Sequence, residues 1–320
     1  MGKITVLDGK KLAEQLLENE SIKLSQKVKN RQPKLVVITI GNDDASKVYI
    51  RNKEKACNKC NIIFEHKAFA SEINIEEVTN YIQKINQDKN VDGIMVQQPV
   101  PNRFKNIEQL IVNEKDVDGF TTYNLGGTLN QANHIPACTP SGIIKLLDYY
   151  NVNLEGKHVI ILGRSNIVGK PLIGMLLNKN ATVTSCNSYT KDLKEITKTA
   201  DIIISSIGKP KFIDNSYITS KCECIIDVGI NRDENGKLCG DIDYNNIIDF
   251  WSTLDDKERF ITPVPGGIGP MTVYSLIKNV IDSYNNNINW YKNHIFAHNM
   301  RKDVIFYEFV LDRFYEKFRF

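Results

Sequence analysis

Polar and apolar positions change period along this chain, and the changes predict strands alternating with helices. Residues 8–30 read as a helix with a strongly polar face. The β-branched run Lys34-Leu-Val-Val-Ile-Thr-Ile40 predicts a strand that ends in a Gly-Asn turn. Ser46 is a good N-cap for a helix through about Cys60. At roughly 100° per residue, Ala45, Val48, Tyr49, Ala56, Cys57 and Cys60 share one face of it, and Arg51, Glu54, Lys55 and Asn58 take the other. Lys53 breaks the pattern. It falls in the middle of the apolar face, one turn after Tyr49 and beside it in space.

A second helix is predicted near 75–88, then an apolar strand over 91–97 that ends in Gln97 and Gln98 and is stopped by Pro99 and Pro101. Thr139 and Pro140 form a cap-then-proline start for a helix over 141–150. Beyond it strand and helix alternate, with strands expected at 158–162, 181–186, 201–206 and 224–228. That order predicts a parallel, doubly wound α/β sheet. A loop dense in Gly and Pro at 261–270 precedes a helix from about Met271. After Asn285-Asn-Asn287 the chain turns aromatic (Trp290, Tyr291, Phe296), and Ile305, Phe306, Phe309, Val310, Phe314, Tyr315 and Phe318 recur three or four apart. This predicts an amphipathic helix of about four turns. Its apolar stripe has three possible destinations: its own N-terminal domain, a subunit interface or a membrane surface.

Composition narrows the class. At 320 residues the chain has room for two domains, and 42% hydrophobic with 25% charged residues is globular composition. A formal charge of +3 is too small to imply nucleic acid as a partner. Seven cysteines argue against a disulfide framework and for a reducing, cytoplasmic setting. Cys57-Asn-Lys-Cys60 has no second pair of matching spacing and the five histidines are scattered, so no metal site is expected. Asp8, Glu14, Glu18 and Glu20 do not suit a transit peptide, and no uninterrupted apolar run of membrane-spanning length occurs.

Four places carry candidate chemistry. His158-Val-Ile-Ile-Leu162 runs into Gly163-Arg-Ser-Asn-Ile-Val-Gly-Lys-Pro171, a strand–loop–helix turn of the kind that holds phosphates on helix N–H groups. The spacing differs from G-x-G-x-x-G, because Ser165 replaces the second glycine and the loop is one residue longer. The next strand ends at Asn187-Ser188 without the acid that would bind the ribose of NAD, and Arg164 could pair with a 2′-phosphate, so NADP is favoured over NAD. Lys53 reads either as a lysine whose pKa desolvation lowers into the range of proton transfer, or as one that snorkels to water. Gln97 or Gln98 faces a site at a strand end, or both are solvated. Lys115-Asp-Val-Asp118-Gly is a solvated acidic turn, or one of its carboxylates accepts paired hydrogen bonds from a ring amidine.

Together these segments resemble the bifunctional methylenetetrahydrofolate dehydrogenase/cyclohydrolase family, over roughly residues 3–282. The resemblance rests on Tyr49-Ile-Arg-Asn-Lys53, Asp92-Gly-Ile-Met-Val-Gln-Gln-Pro-Val-Pro101, Lys115-Asp-Val-Asp-Gly119, the 163–171 turn, Asp227-Val-Gly-Ile-Asn231 and Pro263-Val-Pro-Gly-Gly-Ile-Gly-Pro-Met-Thr272. It implies oxidation of 5,10-methylenetetrahydrofolate with NADP⁺ and hydrolysis of the methenyl product to 10-formyltetrahydrofolate in one cleft. Lys53 is then the proton-transfer residue, Gln97 its partner, Tyr49 the surface under the folate and Asp118 the holder of the pterin amidine. Backbone of Pro265, Gly266 and Gly267 lines that pocket. Gly163, Arg164, Ser165, Ile167, Val168, Gly169, Ser188, Ile230 and Thr272 are the implied cofactor residues.

The implied architecture is a Rossmann-like NADP-binding domain (145–272) and a discontinuous α/β folate domain (1–144 with 273–320) across a cleft, with 284–320 as a C-terminal extension. The chain is expected as a homodimer. Competing expectations are a monofunctional NAD-dependent methylenetetrahydrofolate dehydrogenase and a catalytically silent nucleotide-binding protein. Gln98 stands where the family has an apolar residue, Asn187 where some NADP-using members have histidine, and Asn124-Leu-Gly-Gly-Thr-Leu129 is one residue longer than usual.

Overall fold

The computed structural model describes residues 3–27, 31–41, 44–254 and 256–286, so the predicted helix beyond residue 302 lies outside the described residues. The chain runs β1 (Ile4–Val6), α1 (Gly9–Lys27), β2 (Lys34–Ile40), α2 (Asp44–Lys59), β3 (Ile63–Phe69), α3 (Ile75–Gln87), β4 (Gly93–Val96), α4 (Thr122–Asn130) and α5 (Cys138–Tyr149). It continues through β5 (His158–Leu162), α6 (Gly169–Leu177), β6 (Thr182–Cys186), α7 (Leu193–Thr197), β7 (Ile202–Ser205) and β8 (Cys224–Asp227). A short antiparallel pair, β9 (Asn231–Arg232) and β10 (Leu238–Cys239), precedes α8 (Tyr244–Ser252) and β11 (Arg259–Ile261). A last helix, α9, covers 268–286.

Two parallel sheets result, a small one in the order β3-β2-β4 and a large one in the order β1-β11-β8-β7-β5-β6. The large sheet winds outward from β5, to β6 on one side and to β7 on the other. The region beyond the strand ends at that reversal is the usual ligand position in open α/β sheets. The first strand of the chain pairs with β11, so residues 4–6 form the edge of the large sheet.

Alternate residues of each central strand enter different cores, as expected for sheets covered on both faces. Leu35 and Val37 of β2 share a core with Val159 and Ile161 of β5, and α1, α5 and α9 contribute Leu12, Leu146 and Ile277 to it. Val36 and Ile38 pack instead under Val78, Ile82 and Ile85 of α3, and Ile160 and Leu162 pack with Trp251 of α8. One continuous core therefore ties the small sheet to the large one. Each fully buried aliphatic side chain contributes about 1.5–3 kcal/mol, so α9, with Met271, Leu276, Ile277, Val280 and Ile281 buried, is held mainly by packing.

β2 and β5 have the expected bounds, but several helices start early. Pro140, Pro171 and Pro270 are each the third residue of their helices, not the boundary that the sequence suggested. The first-turn N–H groups have no partner inside the helix, so proline costs little at any of those positions. Likewise α2 begins at Asp44, before the expected cap at Ser46, whose side chain lies outside what is described. Val48, expected on the apolar face of α2, is 57% exposed. No helix among the described residues is long and apolar enough to cross a membrane.

Candidate active site

The buried face of α2 carries Lys53, Ala56 and Cys57, with Cys60 buried just past its end and Tyr49 partly covered one turn before Lys53. Lys53 is only 7% exposed, and its Nζ donates to Gln97 Oε1 at 2.6 Å. Gln97 lies one residue beyond β4, where its N–H continues the ladder by donating to Ile38 O at 2.8 Å. Its Nε2 donates to Gln98 O at 2.8 Å, which turns the amide carbonyl towards Lys53. Of the two consecutive amides, Gln97 is the one that meets the lysine. Loss of hydration lowers the Lys53 pKa, while the charge of Asp118 raises it.

The 115–119 turn is far from a solvated loop. Lys115 Nζ donates to the carbonyls of Ile85, Asn86 and Asp88 at 3.2, 2.7 and 2.7 Å, which caps the end of α3. Asp116 is 1% exposed and accepts from the Gly119 N–H (3.0 Å), the Thr121 N–H (2.7 Å) and Asn124 Nδ2 (2.9 Å). Its carboxylate is thereby used up in shaping the turn. Asp118 is the acid left to face the recess. Desolvation pushes its carboxyl up to about 6, against the pull of the Lys53 charge and with a push from Asp116. Lys53 and Asp118 thus titrate as neighbours in one low-dielectric recess. Cys138 stands beside them at the start of α5, its thiol raised well above the ordinary range by burial and by Asp118.

The Pro-Gly loop lies between β11 and α9. Pro265 is exposed, Gly266 (φ +109°) accepts at its O from the Lys10 N–H (2.8 Å), and Gly267 is buried. A Cβ on Gly9 would come within 1.9 Å of Gly267 O, so the start of α1 packs directly on this loop.

On the large sheet, Gly163 follows β5 with φ +116°, and a Cβ there would sit 2.6 Å from Ser206 Oγ beyond β7. A Cβ on Gly169 would lie 2.2 Å from Gly163 O, so only glycine lets the start of α6 close on the loop. Ser165 holds that closure. Its Oγ accepts from the Val168 N–H (3.2 Å) and its O from the Lys170 N–H (3.0 Å). Arg164, Ser165, Ile167, Ser188 and Ile230 are exposed around the ends of β5, β6 and β8, while Val168 is buried. The Arg164 guanidinium lies over the Tyr189 ring, 5.7 Å from its centroid, and Tyr189 is 81% exposed. Thr272 faces inward, with its hydroxyl 3.0 Å from Thr139 Oγ1.

Sequence reasoning missed the acids that shape this region. Asp241 accepts from Ser205 Oγ (2.9 Å), the Ile207 and Lys209 N–H groups (2.7 and 2.9 Å) and Asn231 Nδ2 (2.9 Å). Asp227 accepts from the N–H groups of Gly229, Asp241 and Ile242 at 2.9, 3.0 and 2.9 Å. Each carboxylate lies where a Cβ on a glycine beside the other acid would go: Asp241 against Gly229, Asp227 against Gly240. The pair locks the loops after β7 and β8. The glycines at 229 and 240 were the available signal in the sequence.

A dinucleotide phosphate suits this loop chemically: glycine-only close approach, an exposed rim, a guanidinium, and small polar residues instead of an acid after β6.

Comparison with known proteins gives two adjoining family matches. Residues 7–118 match the catalytic domain, and residues 137–288 the NAD(P)-binding domain, of tetrahydrofolate dehydrogenase/cyclohydrolase. Bifunctional protein FolD of Nitrosospira multiformis is 42% identical over 281 residues, covering 86% of this chain and 94% of its own. The crystal structure of the bifunctional enzyme FolD from Campylobacter jejuni superposes with a TM-score of 0.82 at 38% identity, covering 88% of this chain and 99% of that one. The Trypanosoma brucei methylenetetrahydrofolate dehydrogenase-cyclohydrolase, complexed with NADP cofactor and inhibitor, gives a TM-score of 0.82 at 29% identity, covering 90% and 99%.

Proposed function

The chain belongs to the tetrahydrofolate dehydrogenase/cyclohydrolase family, and from that premise we propose how its own residues divide the work. It oxidises 5,10-methylenetetrahydrofolate to the 5,10-methenyl form with NADP⁺ and hydrolyses that product to 10-formyltetrahydrofolate. When bound, NADP⁺ supplies the hydride acceptor. Everything else is positioning, electrostatics and proton handling by the chain.

Asp118 accepts paired hydrogen bonds from the amidine edge of the pterin, the ring stacks on Tyr49, and backbone of Pro265, Gly266 and Gly267 closes the pocket. The methenyl product is already a cation, so its hydrolysis needs a positioned water and a group that takes and returns a proton. Lys53 does this at Nζ. Burial lowers its pKa, and Gln97 Oε1 holds the amine in place. The single observation that carries the assignment is this buried lysine, bonded to a strand-end amide and coupled to a recessed carboxylate.

For the cofactor, Gly163 and Gly169 admit the phosphates. Ser165, Ile167, Val168, Ser188, Ile230 and Thr272 form the wall, and Arg164 meets the 2′-phosphate. The proposed division is a folate domain of 1–144 with 273–320 and a cofactor domain of 145–272, working as a cytoplasmic homodimer. The same core runs through both parts and β1 joins the large sheet, so they hold each other in register.

One assay tests the whole reading. Purified protein is given methylenetetrahydrofolate with NADP⁺ or NAD⁺, and the methenyl chromophore is followed as it rises and decays. Rise and decay with NADP⁺ are expected. A rise without enzyme-catalysed decay, or equal use of NAD⁺, would overturn it.

A further inference from the structure

Asp118 is held from outside its own turn. Asn279 of α9, 5% exposed, donates from Nδ2 to Val117 O and to Pro136 O, both at 2.9 Å. One amide thus joins the residue before Asp118 to the segment that opens α5. Asn124 of α4, 1% exposed, makes a second bridge between the same two segments. Its Nδ2 donates to Asp116 and its Oδ1 accepts from the Ile135 N–H at 3.0 Å. Between the bridges, Asp118 O accepts from the Cys138 N–H at 3.3 Å. Gly119 lies so close to this segment that a Cβ there would be 2.6 Å from Ala137 N. The backbone on either side of Asp118 is therefore fixed by two buried asparagines from helices far apart in sequence.

We propose that Asn279, seconded by Asn124, is a positioning residue that aims the Asp118 carboxylate at the folate ring. This rests on the reading of Asp118 as the pterin-binding acid. Asn279 belongs to the helix that begins at the Pro-Gly loop, so α9 couples the placement of the two sides of the folate pocket. Both donors of one Nδ2 are spent on main-chain carbonyls, the one to Val117 O fully buried, so a side chain without them releases the turn.

The test measures KM for methylenetetrahydrofolate, Kd for NADP⁺ and the thermal melt in Asn279→Ala, Asp118→Asn and the double variant, with Asn279→Ser as a milder change should Asn279→Ala not fold. The expected result for Asn279→Ala is a KM raised on the order of tenfold with NADP⁺ affinity unchanged. In the Asp118→Asn background, Asn279→Ala should raise KM no further, which a purely structural role would not produce. If Asp118→Asn raises KM and the asparagine variants do not, the positioning role is wrong. If Asp118→Asn itself leaves KM unchanged, the reading of Asp118 fails and the positioning role falls with it.

Discussion

Lys53 is buried and bonded to Gln97 before any ligand arrives, with half-buried Asp118 close enough for their charges to interact, whereas Arg164, Ser165, Ile167 and Ser188 stand in solvent on loops that glycine packing shapes. The first region keeps an amine and a carboxylate out of water, which is costly unless each has partners, and the cost shows as opposed pKa shifts. The second spends little: its charge is solvated and its shape is backbone. A proton-transfer site needs perturbed groups, and perturbation needs burial. A phosphate site needs N–H groups, a cation and room, which an open loop supplies. The two halves of one cleft therefore fail in different ways.

The contrast is sharpest at Lys53. Lys53→Met should cut cyclohydrolase activity by about 100-fold or more while leaving NADP⁺ affinity intact, measured by methenyl decay and by titration of the cofactor. Its folded pKa lies below the unfolded one, so the native state binds fewer protons between those values. The lysine weakens the fold fully below its folded pKa, and the penalty is relieved as pH rises towards the unfolded value. Lys53→Met should accordingly raise the melting temperature at neutral pH. A variant that hydrolyses the methenyl substrate at the normal rate would end the comparison.

Gly169→Ala tests the other half. Its Cβ must displace Gly163 O from 2.2 Å, and NADP⁺ affinity should fall on the order of tenfold or more, with hydrolysis of added methenyltetrahydrofolate retained. Equal loss of both activities would mean that the loop supports the folate recess as well.

Arg164→Ala should weaken NADP⁺ about tenfold and leave NAD⁺ unchanged, because only the 2′-phosphate meets the guanidinium in a charge-assisted bond. Comparable weakening of both would make the arginine structural.

The smallest effect is in pH. Asp118 titrates at about 6 and must be ionised to accept from the pterin, so kcat/KM for folate should drop roughly fourfold as pH falls from neutral to about half a unit below that value. NADP⁺ affinity should not follow the same curve, and the drop should vanish in Asp118→Asn.

Legibility followed the same divide. Lys53 was visible because an ionisable residue on an apolar helical face is an anomaly of period, and the glycine loop because strand, turn and helix adjoin in sequence. Which of Gln97 and Gln98 faces Lys53 came only from the family resemblance and not from the residue pattern, since it depends on a ladder bond to Ile38 that continues β4 past its end. Asp116 and Asp118, two residues apart in one turn, were likewise told apart only by the resemblance and not by the residue pattern. Their roles separate only when Asn124, from the next helix, claims Asp116. The edge strand at residues 4–6 gave no signal, because three residues are too few to show a period and its partner is β11.

By itself the chain determined its central strands and longer helices, their parallel class, the anomalous lysine and the absence of an acid after β6. These are local properties, set by side-chain period, turn chemistry and residue type over short stretches. Tertiary structure alone decided which carboxylate is free, which amide meets the lysine, where the first strand pairs and which asparagines hold Asp118. Those outcomes depend on contacts between segments far apart in sequence, as between Ile4 and Arg259, and burial and hydrogen-bond competition take their values only when such segments meet.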